Sequence, residues 1–426
     1  MGQFTALIFI LLLVAFLLNV DFIFYIVYVS VGLYAWNRWY TPRVLGGVLA
    51  HRAFTDHAFW GEEIQVTLVL QNKNRLGIPW LQLRESVAVE LTARQPTNQV
   101  ISLRRRQTIR LNYIVQTRRR GYYRLGPLRL KTSDLFGFFP EQVRVLPPDY
   151  LTVYPRLWTL SQLNLPSRLP FGVIGSRQRL FEDPARPMGV RQFRSGDSLR
   201  QINWKASAHT RDLLVKTFEP AISLETAVLL NLHLGDYVLR DRAYTVEWAI
   251  EVAASLAAHL VDLRQPVGLV TNGVDPLHQP QNGPVEFDEE SGRLLFVQGR
   301  GARQLVLPPP IPPHPGRPHL IKILERLARL EADETMPFDR WVPTACLDLS
   351  WGVTLLAITP TGNEVVCQAL HRLVRAGFNP ILLVVEPDSE FGRVRERARR
   401  LGFAAYHVTE KRDLERWQRP LTPSYV

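Results

Sequence analysis

A chain of 426 residues has room for about two or three domains, each with its own core, and 46% hydrophobic against 21% charged residues agrees with a folded protein. Only two cysteines are present, Cys346 and Cys367, which excludes a disulfide framework and points to a reducing compartment. The formal charge of +12 is uneven: residues 101 to 131 carry Arg104, Arg105, Arg106, Arg110, Arg118, Arg119, Arg120, Arg124, Arg129 and Lys131 with no acid among them.

The chain opens on two apolar runs, Phe4 to Leu18 and Phe22 to Trp36, separated by Asn19 and Asp21. As helices each covers about 22 Å, short for a bilayer. One long span would bury Asp21 at about 2.5–3.5 kcal/mol, so the expectation is a transmembrane helical hairpin over residues 1–40, with Asn19 and Asp21 among the far headgroups. Met1 to Thr5 lacks the Lys or Arg of a signal peptide, and no small-x-small cleavage site precedes the second run. Arg38, Arg43 and Arg52 then predict that everything after Trp36 is cytoplasmic, with Trp36, Trp39 and Tyr40 at the interface. The expected location is a multi-pass placement in the cytoplasmic membrane.

Residues 53–157 alternate with period two. Ile64, Val66, Leu68 and Leu70 share one face, and Ile109, Leu111, Tyr113, Val115 and Thr117 another. Turn clusters at Asn72 to Asn74, Gly77 to Pro79 and Gly126-Pro127 space the runs as in a small all-β sandwich of immunoglobulin-like type. Residues 158–190 read as a Pro-, Gly- and Arg-rich linker into a dense stretch at 191–219, so that 158–220 forms one linker-and-motif region. Within it Gly196 offers a turn, Asp197 or Ser198 a helix cap with Gln201 in capping-box spacing, Ile202 and Trp204 core anchors, and Leu213 to Glu219 a strand. From 221 to 412 strands and helices alternate. Strands are predicted at 225–233, 266–271, 353–359, 380–385 and 404–408, and helices at 244–263, 319–332, 342–349, 363–375 and 389–401. That pattern predicts an α/β, Rossmann-type domain with a mainly parallel sheet, followed by a tail at 413–426.

The residues Arg191, Phe193, Gly196, Asp197, Arg200, Ile202, Trp204, Lys205, Ser207, Ala208, Val215, Lys216, Phe218 and Glu219 carry a resemblance to the bacterial family called domain of unknown function 58. Arg119 to Pro127 and Asp134 to Gly137 extend that resemblance upstream. It implies a membrane-anchored protein with a β-rich domain, a degenerate von Willebrand A-like domain and a MoxR-type AAA ATPase as partner. No enzymatic activity comes with it, and no cofactor.

Several constellations bear on chemistry. An ion site of the von Willebrand A kind uses Asp-x-Ser-x-Ser after the first strand, whereas Asn231, His233 and Gly235 stand there in this sequence. One amide and one imidazole are a poor donor set for a hard cation, even with Asp236 and Asn272 nearby, so no metal is expected. Cys367 and His371 lie four apart on a predicted helix and invite a nucleophile pair, but the packing stripe of that helix explains them better; Asp197, Ser207 and His209 invite a triad, but Ser207 and His209 are only two apart and nothing suggests an oxyanion hole. No phosphate-binding loop and no zinc spacing occur. The basic runs Arg104–Arg106 and Arg118–Arg120 form a candidate patch: solvation is the first reading, anionic lipid the second, nucleic acid the last. The functional expectation is a non-catalytic, membrane-anchored scaffold whose motif residues Arg191, Gly196, Asp197, Arg200, Ile202, Trp204, Lys205, Ser207, Lys216, Phe218 and Glu219 serve structure or docking. The alternative is a hydrolase built on the Cys/His or Ser/His/Asp cluster.

Overall fold

The computed structural model describes residues 9–10, 13–14, 21–88, 90–93, 98–133, 141–158, 181–193, 202–210, 212–221, 225–279, 306–388 and 390–416. Two compact units divide the chain, with the main boundary between Arg156 and Leu157.

The first unit begins with helix α1 (Asp21–Val44). Here the hairpin expectation fails. Among the described residues no helix is long and apolar enough to cross a membrane. The second apolar run continues without a break through Trp36, Asn37, Arg38 and Arg43 into α1's last turn, and Tyr25, Tyr28, Ser30 and Tyr34 dilute its apolar stretch. Most of the first run, including Asn19, lies outside the described residues. The multi-pass membrane placement falls with the hairpin. Instead of holding a bilayer interface, Tyr40 donates its hydroxyl to the Gly77 carbonyl at 2.5 Å, tying the end of α1 to the β unit that follows.

Eleven strands follow: β1 (Val48–Ala53), β2 (His57–Phe59), β3 (Glu63–Asn72), β4 (Ile78–Glu85), β5 (Leu91–Ala93), β6 (Asn98–Leu103), β7 (Thr108–Thr117), β8 (Gly121–Leu125), β9 (Leu128–Thr132), β10 (Gln142–Leu146) and β11 (Asp149–Tyr154). Among the described residues they form three sheets, ordered β1-β3-β7-β5, β10-β9-β4-β6 and β2-β11-β8, an all-β unit compatible with the immunoglobulin-like sandwich expected. Gly126, at φ +99°, takes the turn that sends β8 into one sheet and β9 into another. Ile64 and Val66 of β3 pack with Tyr123, Leu151 and Val153, while Leu68 and Leu70 of the same face pack with Leu81, Leu103 and Leu130. One strand therefore serves two cores. Arg52 and Glu85 form a buried ion pair, with Arg52 Nη2 2.9 Å from Glu85 Oε1, and Arg52 Nη1 lies 2.8 Å from Oδ2 of the half-exposed Asp149.

In the second unit β12 (Phe181–Gln192) pairs antiparallel with β13 (Leu214–Ala221), and helix α2 (Trp204–Thr210) lies between them in sequence. A six-stranded sheet follows, made of β14 (Thr226–Leu230), β15 (Val267–Thr271), β16 (Ile311–His314), β17 (Thr354–Thr359), β18 (Asn379–Val384) and β19 (Ala404–His407). The order is β16-β15-β14-β17-β18-β19, parallel throughout except for β16 at the edge. Helices α3 (Arg242–Asp262), α4 (Arg317–Arg329), α5 (Phe338–Ala345), α6 (Glu364–Arg375), α7 (Phe391–Arg400) and α8 (Lys411–Arg416) complete the chain. Every residue of β14, β15 and β17 is buried, as a sheet covered on both faces requires. Phe338, Trp341, Val366, Leu370, Leu373, Val394 and Ala398 close one face over Leu229, Leu355 and Leu382.

Candidate functional site

Two places in the second unit gather the residues singled out by the sequence. The first is the hairpin of β12 and β13. Gly196, Asp197 and Arg200 lie outside the described residues, and Phe218 and Glu219 fall on β13 with side chains outside them as well. What the structure does describe is a stitched junction. Asn203 caps α2: its Oδ1 accepts from Ala206 N at 3.2 Å and its carbonyl from Ser207 N at 2.9 Å. Ser207 is buried, donates its hydroxyl to the Asn203 carbonyl at 2.9 Å and accepts from Leu214 N at 2.9 Å. Asn203 N in turn donates to the Leu214 carbonyl at 2.8 Å. A single hydroxyl thus joins the first turn of α2 to the start of β13. Asn203 was missed in the sequence, although an Asn just before a helix that starts at Trp204 is the usual cap chemistry.

Beneath this junction Ile202 bridges Val215, and both are buried. Ile202 is an anchor. Trp204 is not: it is 67% exposed, which corrects the expectation of a core ring. Trp204 is the first residue of α2, and the buried residue of that helix is Ser207, three positions on. Arg191, Lys205, His209 and Lys216 are exposed, and so are Val190, Asp212 and Leu213, so the outer surface of the hairpin mixes basic and apolar side chains with the one acidic Asp212 among the described residues. With its hydroxyl committed to main-chain groups and His209 in solvent, Ser207 has the bonding of a structural tie.

The second place is the crevice at the carboxyl ends of β14, β15 and β17, where an open α/β sheet usually presents ligands. Asn231 and Asn272 fill it. Asn272 Nδ2 donates to Asn231 Oδ1 at 2.8 Å and to the Met336 carbonyl at 3.1 Å, and its Oδ1 accepts from Leu232 N at 2.6 Å. Asn231 Oδ1 also accepts from His233 N at 3.1 Å, and its Nδ2 donates to Asp236 Oδ2 at 2.8 Å. Both lone pairs of Asn231 Oδ1 are therefore spent inside the protein, and the nearest carboxylate faces an amide N–H. Among the described residues no group of three or more His, Cys, Asp or Glu side chains is arranged to hold a metal ion. Tyr237 closes the floor, donating to the Asn231 carbonyl at 2.6 Å, and burial pushes its phenol above the usual range. Glu386, also buried, accepts from Val238 N at 2.8 Å; desolvation raises its carboxyl, against the opposing effect of that hydrogen bond. The His233 ring lies against Gly235, where a Cβ would come within 2.7 Å of Nε2.

Cys367 and His371 both sit on α6 but point to different partners. Cys367 is fully buried and burial raises its thiol, whereas His371 Nδ1 meets the Leu401 carbonyl at 2.8 Å. Cys346 is also buried, its thiol pushed up to about 12. Such thiols stay protonated and are poor nucleophiles. The two arginine runs do not make one patch. Arg104–Arg106 precede β7 and Arg118–Arg120 follow it, so about 30 Å of strand separates them. Arg120 is only 3% exposed, and Arg119 pairs with Glu90 at 3.3 Å.

Residues 189–284 match the family model described as "Protein of unknown function DUF58". The matched span takes in the hairpin from Gly189, α2, and the crevice residues Asn231 and Asn272. The uncharacterized protein YeaD of Bacillus subtilis is 24% identical over 168 residues, which cover 39% of this chain and 40% of YeaD. Neither description assigns an activity. Solved structures resemble the chain only loosely. Salmonella alpha-2-macroglobulin matches 25% of this chain and 7% of its own at 16% identity and a TM-score of 0.20. A CARDB domain from Pyrococcus furiosus matches 25% and 91% at 13% identity and a TM-score of 0.19. At those scores neither bears on fold or function.

Proposed function

We propose that this protein is a non-catalytic docking protein, and that the hairpin of β12, α2 and β13 presents Trp204 to a protein partner. The observation that carries the reading is the 67% exposure of Trp204 on a helix that the buried Ser207 hydroxyl ties to β13. A rigidly mounted tryptophan among basic residues has the composition of an interface hot spot, since Trp and Arg dominate measured binding energies. The resemblance implies a MoxR-type AAA ATPase as that partner. The same reading takes the α/β unit as a von Willebrand A-like scaffold, supported by a strand order with an antiparallel third strand at the edge.

The test is binding of the full chain to a purified MoxR-type ATPase from the same organism. Wild type binds, and Trp204→Ala weakens binding at least about tenfold without loss of fold, as expected for a hot-spot ring. An ATPase that ignores the wild-type chain, or binds Trp204→Ala equally well, overturns the reading.

A further inference from the structure

The six-stranded sheet has an amino edge as well as the filled carboxyl edge. There α6 ends at Arg375, α7 ends at Arg400, and residues 346–353 lead into β17. Two large apolar side chains of this connection stand in water: Leu347 is 77% exposed and Trp351 62%. Trp351 is nonetheless fixed in place, because its indole rests on Gly377; a Cβ there would lie 2.8 Å from Cζ3, and φ is +92°. Arg372 and Arg375 are exposed on the last turn of α6 and Arg399 on that of α7. The bond from His371 to the Leu401 carbonyl holds the two helix ends side by side. Arg400 pairs with Glu396, but Arg372, Arg375 and Arg399 have no carboxylate partner among the described residues.

Helix dipoles favour basic last turns, which accounts for the arginines alone. They give no reason for a tryptophan and a leucine to be exposed beside them. We propose that this amino edge, centred on Trp351, Leu347, Arg372, Arg375 and Arg399, docks an acidic segment of a partner protein that also carries an apolar side chain. The inference rests on the docking reading above and adds a second contact with a defined chemistry. Arginine forks suit carboxylates, and Trp with Arg around an aliphatic neighbour is the make-up of a protein interface. Single-stranded nucleic acid would call for a series of rings to stack on, and Leu347 has no π face.

The test uses the full chain and fluorescence anisotropy, with a short labelled peptide of glutamates interspersed with leucines as probe and its lysine counterpart as control. The glutamate peptide binds and the lysine peptide does not. Arg372→Glu with Arg375→Glu weakens binding at least about tenfold, as does Trp351→Ala, in line with hot-spot losses. Arg104→Glu with Arg105→Glu removes the same charge elsewhere and changes affinity less than about twofold, as a screened remote charge should. Leu347→Asp, at a site outside the core, covers the case in which Trp351→Ala fails to melt like the parent, and it weakens binding too. Equal effects from the two charge reversals, retained binding in both Leu347→Asp and Trp351→Ala, or tighter binding of a single-stranded oligonucleotide at the same edge each overturn the proposal. Loss of the ATPase on Trp204→Ala together with indifference of the peptide to every amino-edge variant defeats this inference alone. A wild-type chain that ignores the ATPase defeats the docking reading instead.

Discussion

The carboxyl-edge crevice and the β12–β13 hairpin both hold residues that a sequence reader singles out, yet they use their polar groups in opposite ways. In the crevice, Asn231, Asn272, Asp236 and Tyr237 bond to one another and to main chain, and both lone pairs of Asn231 Oδ1 are engaged. At the hairpin, Asn203 and Ser207 spend just enough hydrogen bonds to fix α2, and Trp204 is left to the solvent. The difference separates a site that maintains a fold from one that can meet another molecule. A buried network is expensive to break because every lost partner leaves an orphan. An exposed ring costs the fold almost nothing to remove.

Four variants sharpen or break that contrast. Asn231→Ala has the largest expected effect: it removes the acceptor of His233 N and of one Asn272 Nδ2 N–H, the other staying on the Met336 carbonyl, and at about 1–3 kcal/mol per buried group the loss is at least about 2 kcal/mol in urea unfolding. A loss below about 1 kcal/mol would mean that water already reaches these groups, and the crevice would no longer differ from the hairpin. Ser207→Ala deprives Leu214 N of its acceptor and costs about 1–2 kcal/mol; a neutral result would show that α2 is not held through this hydroxyl.

Glu386 supplies a pH test. Burial raises its carboxyl in the fold above the ordinary 4.5, so its contribution to stability is fully present below that value and is lost as pH rises through the folded one. Glu386→Gln keeps an acceptor for Val238 N and should flatten this part of the stability profile; an unchanged slope sinks the assignment. Trp204→Ala has the smallest expected effect on stability, within about 0.5 kcal/mol, because so exposed a ring has little burial to lose. A thermal shift comparable to that of Asn231→Ala would make Trp204 part of a core and remove the contrast altogether.

Much of the α/β unit is legible in the sequence. The runs that become β14, β17 and β18 are apolar throughout because helices cover both faces, and the predicted bounds differ from the observed ones by only a few residues at each end. Other features were hidden for physical reasons. The proline-rich run Pro308 to Pro315 carries no strand pattern, yet Ile311–His314 pairs with β15, as prolines allow only at an edge. Trp204 follows the buried Ile202 by two positions, so a strand period places both on one face; the helix that begins at Trp204 breaks the period and turns the ring outward. Sequence proximity made one basic patch of two arginine runs that β7 holds apart. The exposed Leu347 and Trp351 could not be told from core residues, since exposure depends on where α5 and α6 stop covering the sheet edge.

The edge strand β16 has a consequence for assembly. An α/β sheet that ended at β15 would offer a long row of bare amides and carbonyls to any extended chain, including another copy of itself. β16 covers that row with Ile-Pro-Pro-His, and Pro312 and Pro313 bring no N–H of their own to its outer side. Gly268 lets it approach so closely that a Cβ would come within 2.7 Å of the Ile311 carbonyl. At this edge the sheet thus ends in a strand with two of its four N–H donors missing, the kind of proline-bearing edge that disfavours pairing with a further chain.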